Sequence, residues 1–270
     1  MNPPSPDALD KLIQSICGSA KYAQLAPSLV ARVAAEELEK RGEYKAALKA
    51  ARTRLHQVTG AFLAPELNYA KWSDILKSIS PENPEELRAF CRRMMRLHNS
   101  TAERLPYVDH FFLTCLADIA PINSILDLAC GLNPLALPWM PLASGCTYLA
   151  CDVVLPMLSF LNHFFRAASA QGEAFPCDLS SEIPRQEVQL AILLKTLPCL
   201  DQLDKSLSAR LLSQIRAEHI LVSYPSKSLG GREKGMRQTY SQQFARLMEG
   251  ARFHVREFNF PTEMVFLLSR

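Results

Sequence analysis

The chain has 270 residues, 48% of them hydrophobic and 21% charged, enough apolar material to build one large domain or a catalytic domain with a smaller companion. No apolar run reaches the roughly 18–20 residues of a membrane helix, and the opening MNPPSPDALD is acidic and Pro-rich rather than basic and then apolar, so no membrane partner and no signal peptide are expected and the cytoplasm is the expected compartment. The formal charge of +3 is unevenly spread: residues 1–105 hold 16 Lys/Arg against 12 Asp/Glu and residues 106–270 hold 14 against 15, a bias that points the N-terminal part toward a polyanion.

Eight cysteines form no CxxC pair and no Cys/His spacing of a zinc site, so all eight are expected to be reduced thiols in the core and no metal is expected.

The first 105 residues read as helices. Ser28 to Arg41 places Leu29, Val33 and Leu38 at helical spacing and stops before Gly42, and Glu43 to Val58 repeats the pattern. A break at Ser80-Pro81-Glu82-Asn83-Pro84 precedes a further helix, with Pro84, Glu85 and Glu86 where a helix start favours them. Another helix is expected from about Tyr107 to Ala120, ended by Pro121. After Pro121 short apolar runs alternate with helical stretches: SILDLAC, TYLACDV, EAFPCD, QLAILLK and HILVSYP. Such runs suit parallel strands buried on both faces of a doubly wound α/β sheet. FHVREFNF, Pro261-Thr262 and EMVFLLSR close the chain as an antiparallel hairpin. Two units follow: a helical N-terminal extension over 1–105 and a Rossmann-like α/β domain over 106–270.

The first strand, which carries Asp127, leads into Gly131-Leu132-Asn133-Pro134, a turn with little side chain to obstruct a ligand approaching the helix that follows. Asp152, 21 residues beyond Gly131, ends the second strand, and Asp178 ends the third. That spacing lets Asp152 reach both ribose hydroxyls of an adenosine cofactor and lets Asp178 edge the adenine. Any one of these acids could instead cap a helix, but three in order at strand tips favour a site. A dinucleotide needs G-x-G-x-x-G to close on its pyrophosphate. One glycine followed by Asn-Pro fits a phosphate-free cofactor better, which favours S-adenosylmethionine.

The segments DLACGLNPLALPWM, STAERLPYVDHFF, LLKTLPCLDQ and SYPSKSLGGREKGM, with Ala20-Lys21-Tyr22 and the stretch from His56 to Phe62, resemble the aminoglycoside-resistance 16S rRNA methyltransferases that modify N7 of guanine-1405 in the decoding site. The resemblance implies a class I S-adenosylmethionine methyltransferase domain behind a helical extension, with 16S rRNA of the small (30S) ribosomal subunit as partner and a monomer as the working form. It implies that Arg104 pairs with the methionine carboxylate, that His98, Asn99 and Ser100 line the methionine end, and that Ala129 and Gly131 approach the cofactor through backbone. Asp152 would hold the ribose and Asp178 with Leu179 the adenine; Leu194, Gln202 and Phe62 resemble further pocket positions. Ala129 stands where the family often has Gly.

Guanine N7 carries a free lone pair and no proton, so no general base is expected; alignment and exclusion of water suffice, with the target base flipped into the pocket. Lys227 and Arg232, beyond the fifth strand, are expected to hold RNA phosphates or the flipped nucleotide, with Lys234 and Arg237 adding charge. In the extension, Lys45, Lys49 and Arg52 share one helix face and Arg88, Arg92 and Arg96 another; with Lys21, Tyr22 and Arg32 they would track an RNA backbone, although a solvated helix face can carry the same spacing. Methylation of an adenine N1 or of a small molecule, and RNA binding without catalysis, are the competing readings.

Overall fold

The computed structural model describes residues 6–59, 67–80, 83–226 and 235–270. Its N-terminal part is helical: α1 (Pro6–Cys17), α2 (Pro27–Arg41), α3 (Tyr44–Thr59), α4 (Tyr69–Ser78), α5 (Pro84–Met95) and the single turn α6 (Asn99–Ala102). Local chemistry sets these ends. Pro27 stands in the first turn of α2, and Gly42 closes that helix at φ +69° while its N–H reaches the Leu38 carbonyl at 2.9 Å, a left-handed cap that glycine adopts without a Cβ penalty. The Asn83 side chain accepts the Glu86 N–H at 3.1 Å, with Pro84 in the first turn of α5, so one otherwise unpaired N–H is satisfied.

The helix expected over 107–120 is shorter and interrupted. A 3-10 turn (Leu105–Tyr107) leads into α7 (Val108–Cys115), and the chain then turns toward Pro121. Pro106 fixes the entry, and the residues ahead of Pro121 are steered away from helix.

Seven strands form one sheet: β1 (Ile122–Leu128), β2 (Leu142–Asp152), β3 (Gln171–Pro176), β4 (Val188–Leu194), β5 (Ala217–Pro225), β6 (His254–Asn259) and β7 (Glu263–Ser269), in the order β3-β2-β1-β4-β5-β7-β6. Strands β1 to β5 pair in parallel, and β7 inserts antiparallel between β5 and β6. This is the doubly wound sheet with a terminal antiparallel hairpin that the sequence leads one to expect. The helices α8 (Leu155–Ala167), α9 (Leu197–Leu203), α10 (Leu207–Gln214) and α11 (Met236–Met248) complete the layers.

Alternation along the buried strands divides the core in two. Ile125, Tyr148, Leu190 and Leu221 join one apolar cluster with α8 and the extension helices, whereas Leu126, Cys151, Ala191 and Val222 join the other with α9, α10 and α11. The extension therefore covers one face of the sheet together with α8. The expected boundary at 105/106 falls in the 3-10 turn, and the first cluster runs across it. All eight cysteines are free; six are buried, but Cys17 is half-buried and Cys199 exposed, so the expectation of eight core thiols is too broad. Cys199 lies in the first turns of α9, at the rim of a cavity, and not beneath it.

A fully buried ion pair joins the two parts. Arg104, at the end of the extension, donates from Nε to Glu263 Oε1 (2.8 Å) and from Nη2 to Oε2 (2.9 Å), and both side chains are about 1% exposed or less. Ser223 and Tyr107 donate to the same carboxylate at 2.8 and 3.1 Å. Burial favours the neutral form of each partner, yet their mutual charge and hydrogen bonds prevail, holding Arg104 above and Glu263 below its ordinary pKa. Removing one side of such a pair strands the other charge in a dry core. Glu263→Gln should lower the unfolding free energy by about 3–5 kcal/mol in urea denaturation; a loss below about 1 kcal/mol would show that the pair does not weld the two parts.

Candidate active site

The carboxyl ends of β1 to β4 open into a cavity lined by residues that follow all four strands. Its position beyond the strand tips of an open α/β sheet is where such folds place ligands.

The turn after β1 is strained for a purpose visible in its neighbours. Ala129 has φ +51° and Gly131 φ +50°. A Cβ on Gly131 would sit 2.9 Å from His98 Cε1, so glycine is required there both by backbone conformation and by space. Ala129 carries the left-handed strain with a side chain, at roughly 1–3 kcal/mol. The chain then enters a 3-10 helix (Asn133–Trp139) with Pro134 and Pro138, not the α-helix expected from the strand-turn-helix plan. Pro138 inside it lacks the N–H that an α-helix would use. The site consequently has no long helix N-terminus of the kind that serves a pyrophosphate.

Asp152 ends β2 beside this turn. Its Oδ2 accepts the Gly131 N–H at 3.0 Å and its Oδ1 accepts those of Val153 and Val154 at 2.6 and 3.3 Å. Burial raises its pKa against these three donors. A carboxylate offers about four acceptor positions, so capacity remains on the cavity side. Asp178, beyond β3, accepts from Arg32 Nε at 2.7 Å and from the Ser180 N–H at 3.1 Å. Burial pushes its carboxyl up, but Arg32 and Ser180 more than offset this and hold it below the ordinary range.

The other end of the cavity is cationic. Arg104 lines it, but the fork expected to grip a ligand carboxylate faces Glu263 instead, and Nη1 donates to Asn133 Oδ1 at 3.1 Å. Three of the five guanidinium N–H groups are thus committed to protein, and one hydrogen each on Nη1 and Nη2 is left for a ligand. Asn133 also donates to the buried Asp127 at 2.9 Å, which Tyr148 reaches at 2.7 Å. Burial pushes Asp127 up to about 7 in spite of these bonds. Lys195 follows β4 at φ +59° and pairs with Glu103.

His98, Ser100, Arg104, Ala129, Gly131, Asp152, Asp178, Leu179 and Leu194 all line this cavity, as the sequence leads one to expect. Asn99 is exposed and outside the lining. Gln202 lines a separate groove with Lys49 and Arg54, whereas Cys199 and Leu200 of the same helix line the cavity. Phe62, Lys227, Arg232 and Lys234 lie outside the described residues.

Among the basic residues expected to meet RNA, Lys45, Lys49, Arg88 and Arg96 are exposed. The Lys21 amine lies 2.8 Å from His56 Nδ1. Tyr22 does not face solvent: it is 9% exposed and donates to the Arg52 carbonyl. Arg52 is half-buried and tied to the Ser15 carbonyl at 2.8 Å. Arg32 is engaged by Asp178 and Glu36. Arg92 stacks over Trp139 and pairs with Asp109, and Arg237 braces the hairpin through Asn259 and Phe260. Sequence reading missed Lys195 and Glu263. Lys195 follows the QLAILL strand as the acids follow theirs, and a glutamate opening the apolar run MVFLL needs a buried partner.

His98 is buried, with Nδ1 3.1 Å from Ser100 Oγ. Burial first, then the charges of Arg104 and Lys195, lower its pKa from 6.5 to about 4. The unfolded chain takes up a proton at the ordinary value that the folded chain refuses, so the histidine's contribution is fully present above pH 6.5 and is lost as pH falls toward 4. The unfolding free energy of the wild type minus that of His98→Asn should therefore shrink across this window; a pH-independent difference would contradict the burial of a neutral ring.

Comparison with known proteins agrees with this geometry. The family described as Ribosomal RNA methyltransferase (FmrO) matches residues 18–267. A 16S rRNA (guanine(1405)-N(7))-methyltransferase of Micromonospora echinospora is 33% identical over 98% of this chain and 97% of its own length, and one from Serratia marcescens is 30% identical over 97% and 98%. The crystal structure of the 16S rRNA methyltransferase RmtF in complex with S-adenosyl-L-homocysteine superposes with a TM-score of 0.84 at 33% identity, covering 99% of this chain and all of that one. The 16S rRNA methylase RmtB gives 0.79 at 26% identity, with 98% and 100% covered. The strand order, the acid-tipped cavity and the full-length similarity agree, and the chain belongs to the FmrO family of ribosomal RNA methyltransferases.

Proposed function

We propose that this protein transfers the methyl group of S-adenosylmethionine to N7 of guanine-1405 in 16S rRNA, within the small ribosomal subunit, and so confers aminoglycoside resistance. The observation that carries the reading is one cavity lined by Asp152 and Asp178 and by the ion-paired Arg104 and Lys195, in a chain similar over nearly its whole length to proteins named for that reaction. The residues fit the cofactor. Asp152 would accept from a ribose hydroxyl, Asp178 and the Leu179 backbone would border the adenine, and the remaining Nη hydrogens of Arg104 would hold the methionine carboxylate, a charge-assisted contact. Gly131 leaves room beside His98 that a Cβ would fill.

The cofactor supplies a methyl group on a positively charged sulfur, which departs as a neutral thioether with the bonding electron pair. The N7 lone pair forms the new bond and no proton moves, so the protein needs no base. His98 suits this: its depressed pKa keeps it neutral at physiological pH, and it adds no charge beside the sulfur. The chain's work is to align nucleophile and methyl and to exclude water. The product base carries a fixed positive charge and loses an acceptor, and a polycationic drug is repelled by the first and deprived of a hydrogen bond by the second.

In this reading residues 1–105 are the RNA-facing extension and 106–270 the methyltransferase domain. Lys21, Lys45, Lys49, Arg88 and Arg96 contact phosphates, while Lys227 and Arg232 hold RNA phosphates or the flipped nucleotide and Lys234 adds positive charge beside them. The protein works as a monomer, and it works in the cytoplasm because its substrate, the ribosomal subunit, is there. Among the described residues no helix is long and apolar enough to cross a membrane.

Incubation of isolated small subunits with the protein and labelled cofactor, followed by mapping of the modified nucleotide, should place one methyl at N7 of guanine-1405; a label at an adenine N1, or none, would reject the assignment. Asp152→Ala should weaken S-adenosylmethionine binding at least about tenfold, because hydrogen bonds to a charged acceptor are each worth roughly 1.5–3 kcal/mol. Unchanged affinity would remove the ribose role.

A further inference from the structure

The adenosine end of the cavity is held from the extension at two places. The segment between α1 and α2 runs beside the loop after β2: Leu25 forms an antiparallel bridge with Val154, the Ala26 N–H donates to the Val153 carbonyl at 2.8 Å, and the Leu155 N–H donates to the Gln24 carbonyl at 2.9 Å. Val153 and Val154 are the residues whose N–H groups hold Asp152 Oδ1. Farther along, in α2, Arg32 Nε donates to Asp178 Oδ2 at 2.7 Å and its Nη1 to Glu36 Oε1 at 2.8 Å. Glu36 pairs in turn with Arg54 of α3, which also lies 3.5 Å from Glu37. Arg32 is thus the first link of a charged chain that joins the tip of β3 to two helices of the extension.

The carboxylate at its end is 6% exposed and the guanidinium 20% exposed. A buried carboxylate with one charged partner keeps both its charge and its orientation through that partner. The Ser180 donors engage the other oxygen, Oδ1, so Arg32 is the group that fixes Oδ2. Two of its five N–H groups are committed in this way.

We propose that Arg32 is a positioning residue for the cofactor, acting through Asp178, so that the extension completes the adenosine half of the site. The proposal rests on the cavity being the S-adenosylmethionine site. Without Arg32, Asp178 can turn toward Ser180 or take up a proton, and the edge it offers to adenine is lost. The reacting methyl group sits on the sulfur beyond the ribose and not at the adenine edge, so the cost falls on binding and not on the chemical step.

The test is calorimetric titration of full-length wild type, Arg32→Gln, Arg32→Lys, Asp178→Asn and the double variant with S-adenosylhomocysteine, together with KM and kcat for S-adenosylmethionine on isolated small subunits. Arg32→Gln should bind about tenfold more weakly and raise KM to match while kcat at saturation stays within about twofold, the signature of lost uniform binding. Arg32→Lys should recover part of the affinity, because one amine keeps the charge but cannot serve Asp178 and Glu36 in the same geometry. The double variant should bind no more weakly than Asp178→Asn alone, since a residue acting only through another has nothing left to act on. Wild-type affinity in Arg32→Gln, or losses that add in the double variant, would overturn the proposal. Should Arg32→Gln fail to fold, Arg32→Lys carries the test: its affinity should fall severalfold with its unfolding midpoint within a few degrees of wild type, and unchanged affinity would overturn the proposal. Failure of the wild type itself to bind would strike the cofactor reading, which separates the two claims.

Discussion

The Arg104–Glu263 pair is the contact on which the rest of the structure depends. It joins the last turn of the extension to the first residue of β7, across 159 residues of sequence, and it does so in a region with almost no solvent to compensate a lone charge. Around it sit Tyr107 and Thr262 on one side, Ser223 on another, and Asn133 on the third. Asn133 carries the connection on to Asp127 and Tyr148, so a polar network runs from the hairpin through the extension to the tip of β1. Arg104 also lines the cavity. The interaction that holds the two parts together therefore also sets the direction from which a ligand carboxylate can approach.

The cavity inherits its polarity from this arrangement. Arg104 and Lys195 mark one end and Asp152 and Asp178 the other, with the Ala129–Gly131 turn between them. A molecule bearing a carboxylate at one end and hydroxyls and an amine at the other matches that pattern; a pyrophosphate, which would need a helix N-terminus and a glycine-rich turn, does not. Strain at Ala129 and the exclusion of any side chain at Gly131 are both found at this turn. The extension thus serves twice, as wall of the cofactor site and as the surface that carries exposed Lys45, Lys49, Arg88 and Arg96.

The sheet was legible because its chemistry is local and periodic. Apolar runs followed by acids, and a hairpin around Pro261-Thr262, mark strand ends closely: β2 ends at Asp152 as the pattern has it, whereas β3 ends at Pro176 and Asp178 stands two residues beyond it. Helix ends with a dedicated device, such as Gly42 or Asn83, were equally readable. What eluded sequence reading depends on partners far away in the chain. Basic stripes at helical spacing say that residues share a face; they do not say what that face meets, so Arg32, Arg52 and Arg92 turn out to be occupied by Asp178, the Ser15 carbonyl and Asp109. Gln202 followed a strand and looked like a pocket position, but the turn of α9 directs it to the outer groove. The 3-10 helix after β1 could have been foreseen from two prolines within five residues, Pro134 and Pro138.

A cavity built jointly by extension and sheet should respond to its ligand in both parts at once. Hydrogen exchange of the full chain with and without S-adenosylhomocysteine tests this most directly. Added protection is expected together in residues 98–104 of the extension and in residues 129–133, 152–154 and 178–180 at the strand tips. Protection confined to the strand tips, or none at all, would contradict a site shared between the two.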